Sequence, residues 1–304
     1  MTLSSNGSLI SPKAKSNLAR YKPRRETLIS AALEDDLCDV LRKAQRGTGI
    51  DAAALARVTG IPTERIERWI RGDEIPSDEQ ARAIAVPLKL DPGKFADLAA
   101  QRWNPHVALP SNVRHHPQDP HPSNGYLFFL EDGRTAALVD PAGYPANLLR
   151  AIAQGPYALR YILITHKHAD HCDAGPDIAR AFPDAQIVMH AADVHALGSG
   201  LDHRILPVVD NDALPFGDQT EIRMLHTPGH TDGSSCFLFR SSLFSGDTLF
   251  AGSVGGAFGD TSTYADILRS VRFKLFSLAD ATVVMPGHGP PTTIAEEKAH
   301  NPFF

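Results

Sequence analysis

The sequence predicts an α/β protein of layered sheets with helices outside, preceded by a small all-helical module. Three observations carry this. From Tyr126 onward short β-rich runs alternate with helical ones. Between about residues 31 and 102 apolar residues recur at helical spacing, broken at short intervals by Gly and Pro. The 304 residues, 42% hydrophobic and 21% charged, suffice for two ordinary domains and exclude a single small stapled scaffold. Three cysteines make no disulfide framework and fit a reducing compartment. No apolar run approaches the roughly 20 residues of a membrane span, and the first thirty residues lack the apolar stretch of a secretory signal. A cytoplasmic protein without a membrane partner is therefore expected.

Residues 1–30 read as a flexible basic arm, with six Lys/Arg against the single Glu26 in a stretch rich in Ser, Asn, Gly and Pro. A phosphate-seeking or partner-seeking role for that arm stays open. Up to residue 110 there are 17 basic against 14 acidic side chains, and beyond it 13 against 21, so the chain has two electrostatic halves.

Residues 31–103 form the helical module. Leu37, Val40 and Leu41 start an apolar face. Ala53, Leu55, Ala56 and Val58 make a second short helix ending at Gly60, and Pro62 sits where a first helical turn tolerates it. Thr63 to Arg71 is a third helix with Ile66, Trp69 and Ile70 inward; Ala81, Ile84, Ala85 and Leu88 line a fourth, and a fifth follows Asp91-Pro92. Two short helices joined by a Gly-containing turn describe a helix-turn-helix, and the segment resembles the Cro/C1-type family. That resemblance implies DNA contacts from Thr63, Arg65 and Arg68 on the outward face of the third helix. Glu64 and Glu67 interleave with them, so a protein-interaction or homo-oligomerisation role stands beside DNA binding.

Residues 104–124 read as a linker, because five prolines argue against a regular element. Its four histidines lack the spacing of a metal site. Residues 125–304 then carry the chemistry. Tyr126–Leu130 and Thr135–Val139 read as a hairpin around Glu131-Asp132-Gly133-Arg134. Helices are expected at residues 147–153, 173–181, 191–197 and 264–275. Strands are expected at 161–165, 186–189, 221–225, 235–239, 243–245 and 282–285.

Fourteen histidines are present, and their placement is more telling than their number. Thr165-His166-Lys167-His168-Ala169-Asp170-His171 packs three imidazoles and a carboxylate between a buried strand and a helix. Alternation puts His166 and His168 on one side of the backbone and Lys167 on the other. Burying these groups uncompensated would be costly, whereas a divalent metal satisfies all of them. His226-Thr227-Pro228-Gly229-His230, Ser245-Gly246-Asp247-Thr248 and Pro286-Gly287-His288-Gly289-Pro290 each place a metal-type side chain just past a β-run.

These residues resemble the metallo-β-lactamase fold superfamily, over roughly residues 115 to 304, which implies an αββα sandwich. The resemblance places one metal on His166, His168 and His230 and a second on Asp170, His171 and His288, with Asp247 bridging and His226 behind the ligands or bracing its loop. It implies two divalent ions sharing a water as hydroxide nucleophile, with Asp170 and Asp247 as the catalytic carboxylates. Zn is the default for hydrolysis; Fe or Mn also suits the donors. Asp140-Pro141-Ala142-Gly143, His226 to Gly233, Phe244 to Ser253 and Gly287 to Thr293 are most similar to short glyoxalase II-like hydrolases. These cleave glutathione thioesters of 2-hydroxy acids, so the implied substrate is a small thioester or related ester. Two departures are a short tail, 16 residues after His288, and Gly256-Ala257-Phe258 where relatives carry an Arg. A mononuclear-iron persulfide dioxygenase and a DNA-binding regulator with a ligand-sensing hydrolase-like domain are the alternatives. Cys172, next to His171, is the weaker option of a thiol nucleophile.

Overall fold

The computed structural model describes residues 32–304 except 119, 199, 201 and 258–262. The basic arm of residues 1–30, and Phe258, lie outside the described residues.

Among the described residues five short helices come first: α1 (Leu37–Thr48), α2 (Ala52–Thr59), α3 (Thr63–Arg71), α4 (Asp78–Ala85) and α5 (Pro92–Ala99). Local chemistry sets their ends. Asp36, Asp51, Ser77 and Asp91 cap the N-termini of α1, α2, α4 and α5 with their side chains, and Gly49, Gly60 and Gly72 close α1 to α3 in the left-handed conformation. Leu41, Leu55, Ile66, Trp69, Ile84 and Phe95 are fully buried at their centre. Val58, one of the apolar residues from which the second helix is read, is 71% exposed. An eight-residue helix spans barely two turns, so only Leu55 of α2 is buried. Arg65 and Arg68, on α3, both pair with Glu74, at 2.7 and 2.9 Å, so each cation already has an anionic partner within the chain.

The remainder is a four-layer sandwich. One sheet runs β1-β2-β3-β4-β5-β6: Val113–Pro117, Asn124–Phe129, Thr135–Val139, Ala158–Ile164, Gln186–His190 and Ile205–Val208. The other runs β14-β13-β10-β9-β8-β7, where β7 to β10 are Ala213–Pro215, Glu221–His226, Ser235–Phe239 and Ser242–Gly246, and β13 and β14 are Val283–Pro286 and Thr292–Thr293. A small hairpin, β11 (Leu249–Phe250) with β12 (Ser253–Val254), stands beside the second sheet. Between the sheets lie Phe128, Tyr161, Phe216, Phe237, Phe239, Phe244 and Met285. Helices α6 (Ala146–Gln154) and α8 (Gly175–Ala181) cover the outer face of the first sheet with Leu148, Ile152 and Ile178.

The outer face of the second sheet has two covers. Helix α9 (Tyr264–Ser270), prolonged by a π-turn over Val271–Leu275, supplies Ile267, Val271 and Leu275, and α10 (Ile294–His300) supplies Ile294. The same apolar cluster runs on without a break into Val40, Leu41, Trp69, Leu88 and Phe95 of the helical region. The helices are thus docked as part of one core, and Asp91 N donates to Pro302 O at 2.7 Å across the junction.

The stretch 104–124, read as a linker without regular structure, contains β1. Its residues pair antiparallel with β2, from Val113 with Phe128 to Pro117 with Asn124. The strand lies at the sheet edge, where Pro117 can end it without removing a hydrogen bond from a central ladder. Two helices are also shorter than expected. The 173–181 helix starts only at Gly175, as α8, with a separate one-turn helix α7 (Ala169–Cys172) before it, and 191–197 is a 3₁₀ turn over Val194–Leu197.

Candidate metal centre

Four strand ends converge. Strand β4 ends at Ile164 and leads to His166, in a bend, and to His168, in extended backbone; the one-turn α7 then presents Asp170 and His171. Strand β8 leads to His230, β10 to Asp247 and β13 to His288. The turn after β10 requires glycine: Gly246 has φ +47°, and a Cβ there would lie 2.4 Å from Thr165 Oγ1.

The structure brings together all seven side chains predicted from the sequence. The donor atoms of His166, His168 and His230 lie within 4.8 Å of one another, as do those of Asp170, His171 and His288, and those of His166, His171 and Asp247. Within the first group His168 Nδ1 faces His230 Nε2 at 2.8 Å. Within the second, His171 Nε2 and His288 Nε2 are 3.4 Å apart, and Asp170 Oδ2 is 3.6 Å from each. Asp247 stands between the groups, with Oδ1 3.4 Å from His171 Nε2 and Oδ2 3.5 Å from His230 Nε2.

A metal suits this donor set. His166 Nε2 and Asp247 Oδ1 are buried and make no hydrogen bond, a costly state for polar atoms unless an ion satisfies them. The charges of the metal-free site point the same way. Burial, reinforced by the neighbouring imidazoles, holds His166 well below the usual histidine range, so its ring is neutral and ready to coordinate. Burial also opposes charge on His171, but Asp247, Asp140 and Asp170 outweigh it and lift the ring to about 9. Asp170 is depressed by its hydrogen bond with His288 and, against burial, by the charge of His171. Asp247 is likewise depressed, because His171, His230 and His288 outweigh its burial.

Several supporting residues have no role in the sequence reading. Asp140, in the left-handed region at φ +47° just past β3, accepts from Thr165 N at 2.7 Å, Thr165 Oγ1 at 2.7 Å and His171 Nδ1 at 3.0 Å. Asp193 is fully buried and joins two ligand-bearing loops, accepting from Lys167 N and Thr231 Oγ1 through Oδ2 and from Gly233 N through Oδ1. Asn124 donates to Pro286 O at 3.1 Å and Gly289 O at 2.9 Å, gripping the loop around His288. Apart from the place of Asp140 in the Asp140-Pro141-Ala142-Gly143 motif, an Asp or Asn just past or beginning a β-run is the sequence signal these residues leave.

The remaining expectations divide. His226 stacks on His190 at 3.9 Å and meets Asp232 O at 2.8 Å, which braces its own loop. Lys167 points away from the cluster, its Nζ 3.8 Å from Asp193. Cys172 is buried, donates to Lys167 O, and has its thiol pushed up to about 12 by burial and then by nearby carboxylates, which removes it as a nucleophile. In the 104–124 stretch, His115 meets Asn124 Oδ1 at 2.8 Å and His121 faces Asp173 at 3.4 Å, so these two do not converge on one point.

The family model of the metallo-beta-lactamase superfamily matches residues 119–288, more than half of the chain. The chain belongs to the metallo-beta-lactamase superfamily. Among its similar relatives is "Hydroxyacylglutathione hydrolase GloC" of Haemophilus influenzae, 32% identical over an alignment of 190 residues, with 57% of this chain and 89% of the relative covered. Among solved structures, BLEG-1 B3 metallo-beta-lactamase is 29% identical with a TM-score of 0.57, covering 63% of this chain and 98% of that one. TTHA1623, solved in a di-iron-bound form, is 30% identical with a TM-score of 0.54, covering 63% and 100%. Other similar relatives are named probable metallo-hydrolases, and the His and Asp groups assembled here are of the kind that binds divalent metal.

Proposed function

We propose that the chain is a dinuclear metal-dependent hydrolase of a small thioester, of the hydroxyacylglutathione kind. One observation carries the reading: two groups of three ligand-type side chains share Asp247 between them, with His166 Nε2 and Asp247 Oδ1 buried and lacking hydrogen bonds. His166, His168 and His230 would hold one ion, Asp170, His171 and His288 the other, and Asp247 would touch both. Divalent ions so placed supply electrophilic polarisation of a carbonyl and acidify the attacking water. The chain's own groups do the rest. Asp170, kept ionised by His288 and His171, offers Oδ1 as acceptor for the proton that leaves the water. Asp140 fixes the His171 ring through Nδ1, so Nε2 is the nitrogen aimed into the site. The likeness to GloC favours a thioester over other carbonyl substrates.

Metal counting paired with assays in air and without oxygen tests this. Two ions per chain, with oxygen-independent cleavage of a hydroxyacylglutathione, are expected. One iron per chain with oxygen-dependent oxidation of a persulfide would overturn it. Activity that survives exhaustive chelation would overturn the metal reading altogether.

A further inference from the structure

Three of the histidines proposed as ligands have their outward nitrogen engaged. His166 Nδ1 meets Thr165 Oγ1 at 3.0 Å, His171 Nδ1 meets Asp140 Oδ2 at 3.0 Å, and His230 Nδ1 meets Gly256 O. Such partners fix the ring and its tautomer, and metal-binding histidines nearly always have one. His288 differs. Its Nδ1 is buried without a hydrogen bond, and the facing group is Glu34 Oε1 at 3.7 Å. Glu34 belongs to none of the αββα layers; it precedes α1 and lies outside the family match at residues 119–288.

The position of Glu34 is built. Its neighbour Asp35 is buried and receives both Ser253 Oγ, from the β11–β12 hairpin, and Lys43 Nζ, from α1. Lys43 also donates to Val254 O at 2.7 Å. Glu34 N comes within 3.0 Å of where a Cβ on Gly289 would stand, so the backbone rests directly against the loop that bears His288. From 3.7 Å, the Glu34 carboxylate needs about 0.5–0.8 Å of side-chain movement to reach hydrogen-bond distance of Nδ1.

We propose that Glu34 is the positioning residue of His288: its carboxylate accepts the Nδ1–H, holds Nε2 towards the second metal position, and so makes docking of the N-terminal helices a condition of retaining that ion. The inference rests on His288 being a ligand, and the experiment separates the two. Zinc affinity and stoichiometry are measured on the full chain by competition with a chromophoric chelator, for the wild type, Glu34→Ala, Glu34→Gln and His288→Ala. Glu34→Ala is expected to weaken one of the two ions about 10- to 100-fold and leave the other unchanged. Glu34→Gln, still an acceptor but neutral, falls between. The ¹⁵N shift of His288 Nδ1 in the zinc-loaded chain is expected to change in both Glu34 variants while thermal unfolding of the metal-free chain stays put, because Asp35 retains the anchor. If His288→Ala loses an ion but both Glu34 variants bind zinc like the wild type, the positioning role is refuted and the ligand reading survives. If His288→Ala keeps both ions, the ligand reading itself falls.

Discussion

Replacing Asp140 by Asn tests whether the metal position on His171 depends on the carboxylate behind it. Asn tolerates the left-handed backbone at φ +47°, so the fold itself is not challenged. Asn Oδ1 can still take Thr165 N. The amide NH₂, however, replaces the oxygen that accepts from Thr165 Oγ1 and His171 Nδ1. A donor facing Nδ1 forces that nitrogen to accept, and the ring proton moves to Nε2, the atom aimed at His288 and Asp247. Protonated there, His171 cannot coordinate. Loss of such a supporting partner costs about 10- to 100-fold in metal affinity, or about 1.4–2.8 kcal/mol. The metal-free variant additionally loses a charge-assisted bond worth roughly 1.5–3 kcal/mol. Chelator-competition titration reads the first quantity and urea unfolding of the metal-free chain reads the second. An Asp140→Asn variant that binds both ions with wild-type affinity would refute the reasoning, because no other contact of Asp140 reaches the ligands.

Two further outcomes follow from the geometry. A Cβ at Gly287 would stand 2.4 Å from Asp247 Oδ1 and 2.7 Å from His171 Cε1, so Gly287→Ala should displace both ligands and reduce bound metal below two ions per chain by elemental analysis; full loading would contradict the close approach. Glu297 is fully buried, and despite donors from Gly252 N, Asn301 Nδ2 and Thr292 Oγ1 its carboxyl is pushed up to about 7 by burial. An acid raised on folding keeps its proton in the folded chain while the unfolded chain, at the ordinary 4.5, gives it up. Stability from this group is thus full below pH 4.5 and is lost as pH rises towards 7, by about 3 kcal/mol in total. Glu297→Gln should flatten that slope in urea melts across this window, and a difference from wild type that is constant with pH would dismiss the assignment.

The ligands were legible because each sits at a strand end next to Gly or inside a run of histidines, and strand ends are visible in a one-dimensional pattern. Asp140 was not, because its role depends on which strands pair. Strand β3 lies parallel to β4, with Val139 beside Leu163, and that places the residue after β3 next to Thr165. Neighbouring strands in a sheet need not be neighbours in the chain, and periodicity carries no record of the choice. β1 was hidden by the prolines around it, whose meaning at an edge is the reverse of their meaning in a central strand. The five helices could be read from their caps and spacing, but not where they dock. Arg65 and Arg68 show the same limit: outward on α3 as expected, they meet Glu74 beyond the end of that helix, a contact that depends on the turn of the chain at Gly72.

The shared apolar cluster beneath the helices has a consequence for how the two halves can part company. Severing the chain ahead of β1 would leave Leu225, Leu243, Val271 and Val284 on one piece and Val40, Leu41 and Phe95 on the other with their common cover gone. A bare greasy surface of that extent invites clumping. Any protein that pried the helices loose would have to bring its own cladding for both faces, so release, if it occurs in the cell, is an exchange of one lining for another rather than a simple opening.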